Sequence, residues 1–236
     1  MLETKIKAIV IGNKDYKEKD MLVTLFSLEK GIITVTFKGV KNPNAKLKAG
    51  KEIFSFGDFI YTKGKTNVVT SAEIINSFYD LTKNIKNYYT ACNIIKIIKT
   101  VLMQGEKSPA LFVDTLKCFD LLCDNSISDV CILNKFLIRV FEGFGYRFNL
   151  NKCSTCGNDF LNHRFMNLRY GDITCYSCRV GEVEEISAGV YSALRLLSQT
   201  DYSNLKTLTI SSNLMQEVLD ILHKNFIFRF GQKLDL

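Results

Sequence analysis

Cys153, Cys156, Cys175 and Cys178 form two Cys-x-x-Cys pairs with 18 residues between them. Each pair is a tight turn whose backbone amides can point at the sulfurs, and four thiolates at this spacing match a closed tetrahedral zinc site. Such a site keeps no position open for water or substrate, so one structural zinc that orders its own segment is the expectation. The competing readings are buried thiols, disulfides or a redox pair. Unrelated thiols have no reason to fall into two such turns, and a redox pair belongs at a helix start after a strand, not around a short hairpin. Cys92, Cys118, Cys123 and Cys131 share no spacing and sit in apolar helical stretches, as small core residues do. His163 lies between the pairs, but with four thiolates present it is expected at the surface.

Little else could do covalent chemistry. Glu18 and Asp20 are close carboxylates, but they lie among Lys14, Lys17 and Lys19 ahead of a strand, where ion pairs that fix the turn are the simpler reading. A nuclease needs several acids converging on a divalent cation, and a zinc deaminase needs a His-x-Glu. Here His163 is followed by Arg164-Phe165 and His223 by Lys224-Asn225. No enzyme is expected.

The elements that must carry these residues follow from periodicity. Residues 5–11, 21–28, 32–37, 53–62 and 68–78 read as strands, with Glu29-Lys30-Gly31 and Lys63-Gly64-Lys65 as hairpin turns. Five strands in 80 residues predict a small closed barrel, most often an OB-fold, whose loops and exposed face bind single-stranded nucleic acid. After Tyr79 the spacing becomes helical: 87–104, a helix opened by Ser108-Pro109 and reaching Cys123, one opened by Ser128-Asp129 and ending at Gly143, then 187–198 and 212–230. The predicted class is α+β and multidomain: an OB-fold barrel over 1–80, a helical bundle over 81–150 and 182–236, and a four-cysteine zinc finger inserted at 151–181.

The chain has 236 residues, an apolar fraction of 47% and two prolines, which leaves room for packed cores and little for a disordered linker. No secretory leader and no run of 18 apolar residues is evident, so a reduced, cytosolic setting without a membrane is expected. The net charge of +7 is uneven: Lys and Arg exceed Asp and Glu by 4 over residues 1–80, by 3 over 81–150, and not at all beyond. Four thiolates with one divalent metal add −2, which makes the last third acidic and the whole about +5.

Annealing or coating of nucleic acid needs cations that neutralise phosphates without gripping a sequence. Lys14, Lys17 and Lys19 lie between the first two strands, Lys38, Lys41, Lys46, Lys48 and Lys51 in and after the third, and Lys63 and Lys65 at a hairpin tip. These are the candidate phosphate contacts, although solvated lysines would look the same one by one. The group from Lys38 to Lys51 holds five lysines and no acid. Base stacking needs exposed rings, and Tyr16, Phe37, Phe54, Phe56, Phe59 and Tyr61 are at hand. Phe54 and Phe56 should share one strand face with Asp58, with Phe59 and Tyr61 on the other. One of those faces must be core, so Tyr16, set among charges, is the candidate stacker.

Ala8-Ile9-Val10-Ile11, Asp15 to Asp20, Val23-Thr24-Leu25-Phe26-Ser27 and Gly31 to Val40 resemble the opening of the bacterial RecO family of recombination mediators. Phe141-Glu142-Gly143-Phe144-Gly145-Tyr146, a CxxCG knuckle and Gly171-Asp172-Ile173-Thr174-Cys175 follow in that family's order. The resemblance implies the same three-part architecture and a non-enzymatic role in DNA repair. It implies binding of single- and double-stranded DNA, annealing, and help to RecR in loading RecA onto strands coated by single-strand-binding protein, in the cytoplasm at the nucleoid. The acidic, Phe-ended tail of that coating protein would need an apolar groove edged by cations, for which Lys96, Lys99, Lys135 and Arg139 are available. The alternative is a zinc-ribbon RNA-binding or transcription-associated module whose knuckles touch nucleic acid. The third of the chain that carries the cysteines is neutral before metal and acidic after it, which argues against it.

Overall fold

The structure, a computed structural model, describes residues 3–159 and 163–235. The first two residues of the expected barrel block, Phe160, Leu161 and Asn162 of the expected zinc finger, and Leu236 lie outside the described residues. The chain forms two compact units, Met1–Ile85 with Ile95–Val113, and Lys86–Ile94 with Asp114–Leu236.

In the first unit, strands β1 (Glu3–Tyr16), β2 (Asp20–Ser27), β3 (Gly31–Phe37), β4 (Phe56–Thr62) and β5 (Val68–Asn76) close into a barrel in the order β1-β2-β3-β5-β4. Closure is made by a parallel contact between Thr36 of β3 and Val68 of β5. This is the five-stranded OB-fold. Alternate residues point inward, as the two-residue period of a strand demands: Ile6, Ala8 and Val10, then Val23 and Leu25, Val35 and Phe37, Phe59 and Tyr61, and Val69 form one core. Phe37 and Phe59 meet edge to face at 6.5 Å.

Two strand boundaries differ by more than two residues from those the sequence predicts. β1 continues beyond Ile11 to Tyr16, because Gly12–Tyr16 pair with Thr24–Asp20 after a register shift at Val10/Gly12. The charged run that reads as a loop is therefore a strand, held by its partner and not by its own propensity. β4 begins at Phe56 and not at Ile53. Phe54 takes φ +76° and is buried, and its N–H donates to the Val10 carbonyl (2.9 Å). It leaves the strand alternation and does not share a face with Phe56.

Residues 102–112 pack within this same unit. Phe112 meets Phe26 at 5.5 Å and Phe56 at 6.1 Å, both edge to face. Gly105 N–H donates to the Ile32 carbonyl (2.8 Å). Gly31, at φ +65°, lies so close to residue 106 that a Cβ would sit 1.9 Å from the Glu106 carbonyl oxygen, so only glycine fits the turn.

Helices α1 (Ile85–Val101) and α2 (Pro109–Asp124) each contribute residues to both units, and α3 (Asp129–Gly143), α4 (Ala188–Gln199) and α5 (Ser212–Phe230) belong to the second. Ser128, Ser187 and Ser211 cap α3, α4 and α5 by accepting from the backbone N–H three residues on. The cap of α5 is thus one residue earlier than the serine with which the helical pattern opens. α3 is the buried centre, with Phe136, Leu137 and Phe141 inaccessible and the Asn134 amide donating to the Met215 carbonyl (2.9 Å). Between α3 and α4 the chain makes a small sheet, β7-β6-β8, from β6 (Arg164–Asn167), β7 (Ile173–Cys175) and β8 (Val183–Ile186). No helix among the described residues is long and apolar enough to cross a membrane.

Candidate nucleic-acid interface and metal centre

The short sheet brings the two cysteine turns together. Cys175 ends β7, and a 3₁₀ turn at Tyr176–Cys178 delivers the second thiol of its pair. The first pair is tied to β7 by Ser154 N–H donating to the Ile173 carbonyl (3.0 Å) and by Cys175 N–H donating to Cys153 Sγ (3.4 Å). All four Sγ atoms lie within 4.8 Å of one another, and Cys156 and Cys175 are 3.9 Å apart. A tetrahedral zinc with bonds of about 2.3 Å places its sulfurs about 3.8 Å apart, so the four cysteines can hold a metal ion and their donor set is compatible with zinc.

The thiols are not equivalent. Burial works against ionisation of Cys153, but the backbone N–H groups of Cys156, Cys175 and Thr155 outweigh it and bring the thiol down to about 6. Hydrogen bonds with the Cys175 and Cys156 thiols push Cys178 up to about 12. His163 stands apart from the quartet, exposed and bound to Glu185 (Nδ1 to Oε1, 2.5 Å). Of the remaining cysteines, Cys118 and Cys131 are buried with thiol pKa values raised by burial, and Cys92 and Cys123 are half-buried.

On the barrel, tertiary contacts sort the candidate lysines. The β1–β2 turn and the segment after β3 are joined: Lys41 N–H donates to the Lys19 carbonyl (3.2 Å), and Gly39 N–H to Asp20 Oδ1 (2.8 Å). Two lysine clusters separate in sequence are thereby one surface. Asp20 fixes the turn through this backbone bond, and the ion pair of the turn comes from Asp15, which holds Lys41 at 2.9 Å. Lys51 is paired with Glu52 (2.5 Å) and half-buried. The acid-free look of residues 38–51 is thus corrected by carboxylates on either side of it. Lys14, Lys17, Lys19, Lys38, Lys46, Lys48, Lys63 and Lys65 are exposed and have no carboxylate partner among the described residues. The β4–β5 turn that carries Lys63 and Lys65 is anchored to β3, since Thr36 N–H donates to the Asn67 carbonyl (2.7 Å).

The rings are a different matter. Phe37, Phe59 and Tyr61 are barrel core, Phe54 is buried, and Phe56 packs on Phe112. Tyr16 is half-buried, with the Lys17 ammonium 5.2 Å from its ring centroid. Alternation requires that one face be core, but nothing local indicates that Phe112, 56 residues later, covers Phe56. In the second unit Lys135 and Arg139 border a cavity of about 520 Å³ with Lys117 and Tyr202. Lys135 is buried, its ammonium donating to the Leu197 carbonyl (2.9 Å), while Arg139 binds Asp114 (3.1 Å) and Glu142 (2.9 Å). Lys99, in the first unit, lies against Gly12.

An OB-fold barrel with three lysine-bearing loops, and a helical unit that carries a four-cysteine metal centre, define this protein's class. The chain matches the family described as recombination protein O, N terminal, over residues 1–78 and recombination protein O, C terminal, over residues 82–233. It belongs to the recombination protein O family. Curated relatives called DNA repair protein RecO include that of Clostridium novyi, 27% identical over 92% of this chain and 86% of its own length. That of Clostridium kluyveri is 26% identical over 98% and 92%, and that of Acetivibrio thermocellus 26% over 91% and 86%.

Proposed function

We propose that this protein acts in DNA repair as a non-enzymatic recombination mediator of the bacterial nucleoid. In this reading its barrel binds single- and double-stranded DNA and anneals complementary strands, and with RecR it promotes loading of RecA onto DNA coated by single-strand-binding protein. The observation that carries the reading is the set of eight exposed barrel lysines without a carboxylate partner among the described residues, at the end of β1 and on the turns after β1, β3 and β4, the first two of which a backbone bond draws together. Cations presented this way attract a polyanion irrespective of sequence. Family membership supports the repair role, and the relatives' name supports it in the same sense.

The metal is proposed to be one structural zinc. Four thiolates close the coordination sphere, so it would order the segment around β6–β8 and supply no open position for a reaction. Lys135 and Arg139 already have partners, so a docked acidic tail would have to compete with Asp114 and Glu142 for Arg139. The test is annealing of complementary oligonucleotides coated with single-strand-binding protein, with and without RecR. Acceleration of annealing by the protein supports the reading. Failure to bind DNA at low salt overturns it.

A further inference from the structure

The barrel offers phosphates many cations, and its candidate stacker Tyr16 is half-buried beside Lys17, whereas the metal-bearing segment offers more exposed rings. Tyr176, between two metal-binding cysteines, is 58% exposed, and the Arg179 guanidinium lies 3.7 Å from its ring centroid. That is van der Waals stacking distance. Arg179 is also 5.2 Å from the ring of Phe165, which is buried and forms the floor. His163 completes the group, nearly parallel to Phe165 at 6.4 Å and 5.9 Å from Tyr176. Nearby in sequence a second exposed tyrosine, Tyr170, carries Arg169 at 5.6 Å. Neither arginine has a carboxylate partner among the described residues.

The last third of the chain is neutral before metal and acidic after it, but the two acids of β8 are engaged: Glu184 holds Lys224 at 2.7 Å and Glu185 holds His163. What remains at Tyr176 is an aromatic face and a flat cation. Unpaired bases stack on such rings and on guanidinium planes, and a guanidinium also meets the adjoining phosphate. An ordinary exposed cation–π pair would leave the same two groups facing solvent, but it would not respond to the presence of bases.

We propose that Tyr176 and Arg179 form a nucleobase-stacking platform for single-stranded nucleic acid, separate in kind from the phosphate contacts of the barrel. The platform takes an unpaired base and has no use for a paired one. It rests on the DNA-binding reading and is tested apart from it. Binding of the full-length, zinc-loaded protein is measured to an oligo-dT and to an abasic deoxyribose-phosphate strand of equal length, across a salt series. The wild type is expected to prefer oligo-dT by about 5- to 150-fold, the range for one stacked base. Tyr176→Leu should abolish that preference, Tyr176→Phe should keep it, and neither should alter the salt slope, which reports the lysines.

Zinc content is measured for each variant. If Tyr176→Leu loses metal, Arg179→Gln, outside the cysteine pairs, decides by a clear reduction of the preference. Equal affinity of the wild type for the two strands overturns the platform, as does full preference in a metal-loaded Tyr176→Leu or, failing that, in Arg179→Gln. A flat salt slope in the wild type would instead refute the lysine reading and leave the base preference to be judged by itself.

Discussion

Replacing Lys38, Lys46 and Lys48 together by glutamine removes three exposed charges that have no carboxylate partner among the described residues, and leaves the paired Lys41 and Lys51 in place. Each lysine–phosphate pairing removed from a single strand should lower the slope of log affinity against log salt by about 0.7, so three lower it by about 2.1. Between 50 and 200 mM salt the advantage of wild type over the triple variant should then shrink about 20-fold. Fluorescence anisotropy of a labelled oligo-dT over that range measures it. Lys5→Gln serves as the comparison, since Lys5 is engaged with Asp58 at 2.8 Å and should leave the slope unchanged. The three positions are exposed, so folding should survive, and a melting curve checks it. A triple variant with the wild-type slope, or a Lys5 variant that loses as much, would refute the assignment of these lysines to phosphate.

Asp15→Asn releases Lys41 from its ion pair and should strengthen binding at low salt while steepening the slope by up to about 0.7; weaker binding would mean that Asp15 orders the turn instead. Zinc affinity of the reduced apo-protein, measured by chelator competition across pH, should fall more steeply below pH 6 than above it, because Cys153, brought down to about 6, is a thiolate at neutral pH and must give up a proton to bind metal only in the more acidic range. Gly31→Ala should cost at least about 1 to 3 kcal/mol from its left-handed backbone, before the clash with Glu106 is counted, and thermal unfolding of the full chain would register it.

The features legible in the sequence are those set by local rules. Two CxxC turns point to a metal quartet without any knowledge of the chain path, and serines ahead of helical periods mark the starts of α3 to α5 to within a residue. Alternation in Phe59 and Tyr61 identifies strand residues but not which side is core. Where the structure departs from local expectation, the cause is distant. Gly12 to Asp15 look like a turn until β2 pairs with them, and Phe54 looks like a strand residue until Val10 binds its N–H from another strand. The Asp15–Lys41 pair spans 26 positions, which no charge count along the chain reveals. The Tyr176–Arg179 stack, by contrast, is nearly local. The average charge of its third of the chain conceals the arrangement of its members.

The closeness of Gly31 to Glu106 also bears on how this chain can be divided. Phe112 shields Phe26 and Phe56, and Gly105 satisfies the Ile32 carbonyl, so residues 102–112 serve the barrel as a sixth side although they come after the point where its strands end. A fragment cut at residue 80 would keep every strand and lose that cover, turning two phenylalanines and an orphaned carbonyl to water. A domain boundary that respects the barrel's packing therefore falls beyond Phe112, and a graft of the barrel into another protein should carry the turn at Gly105 and the ring at Phe112 with it.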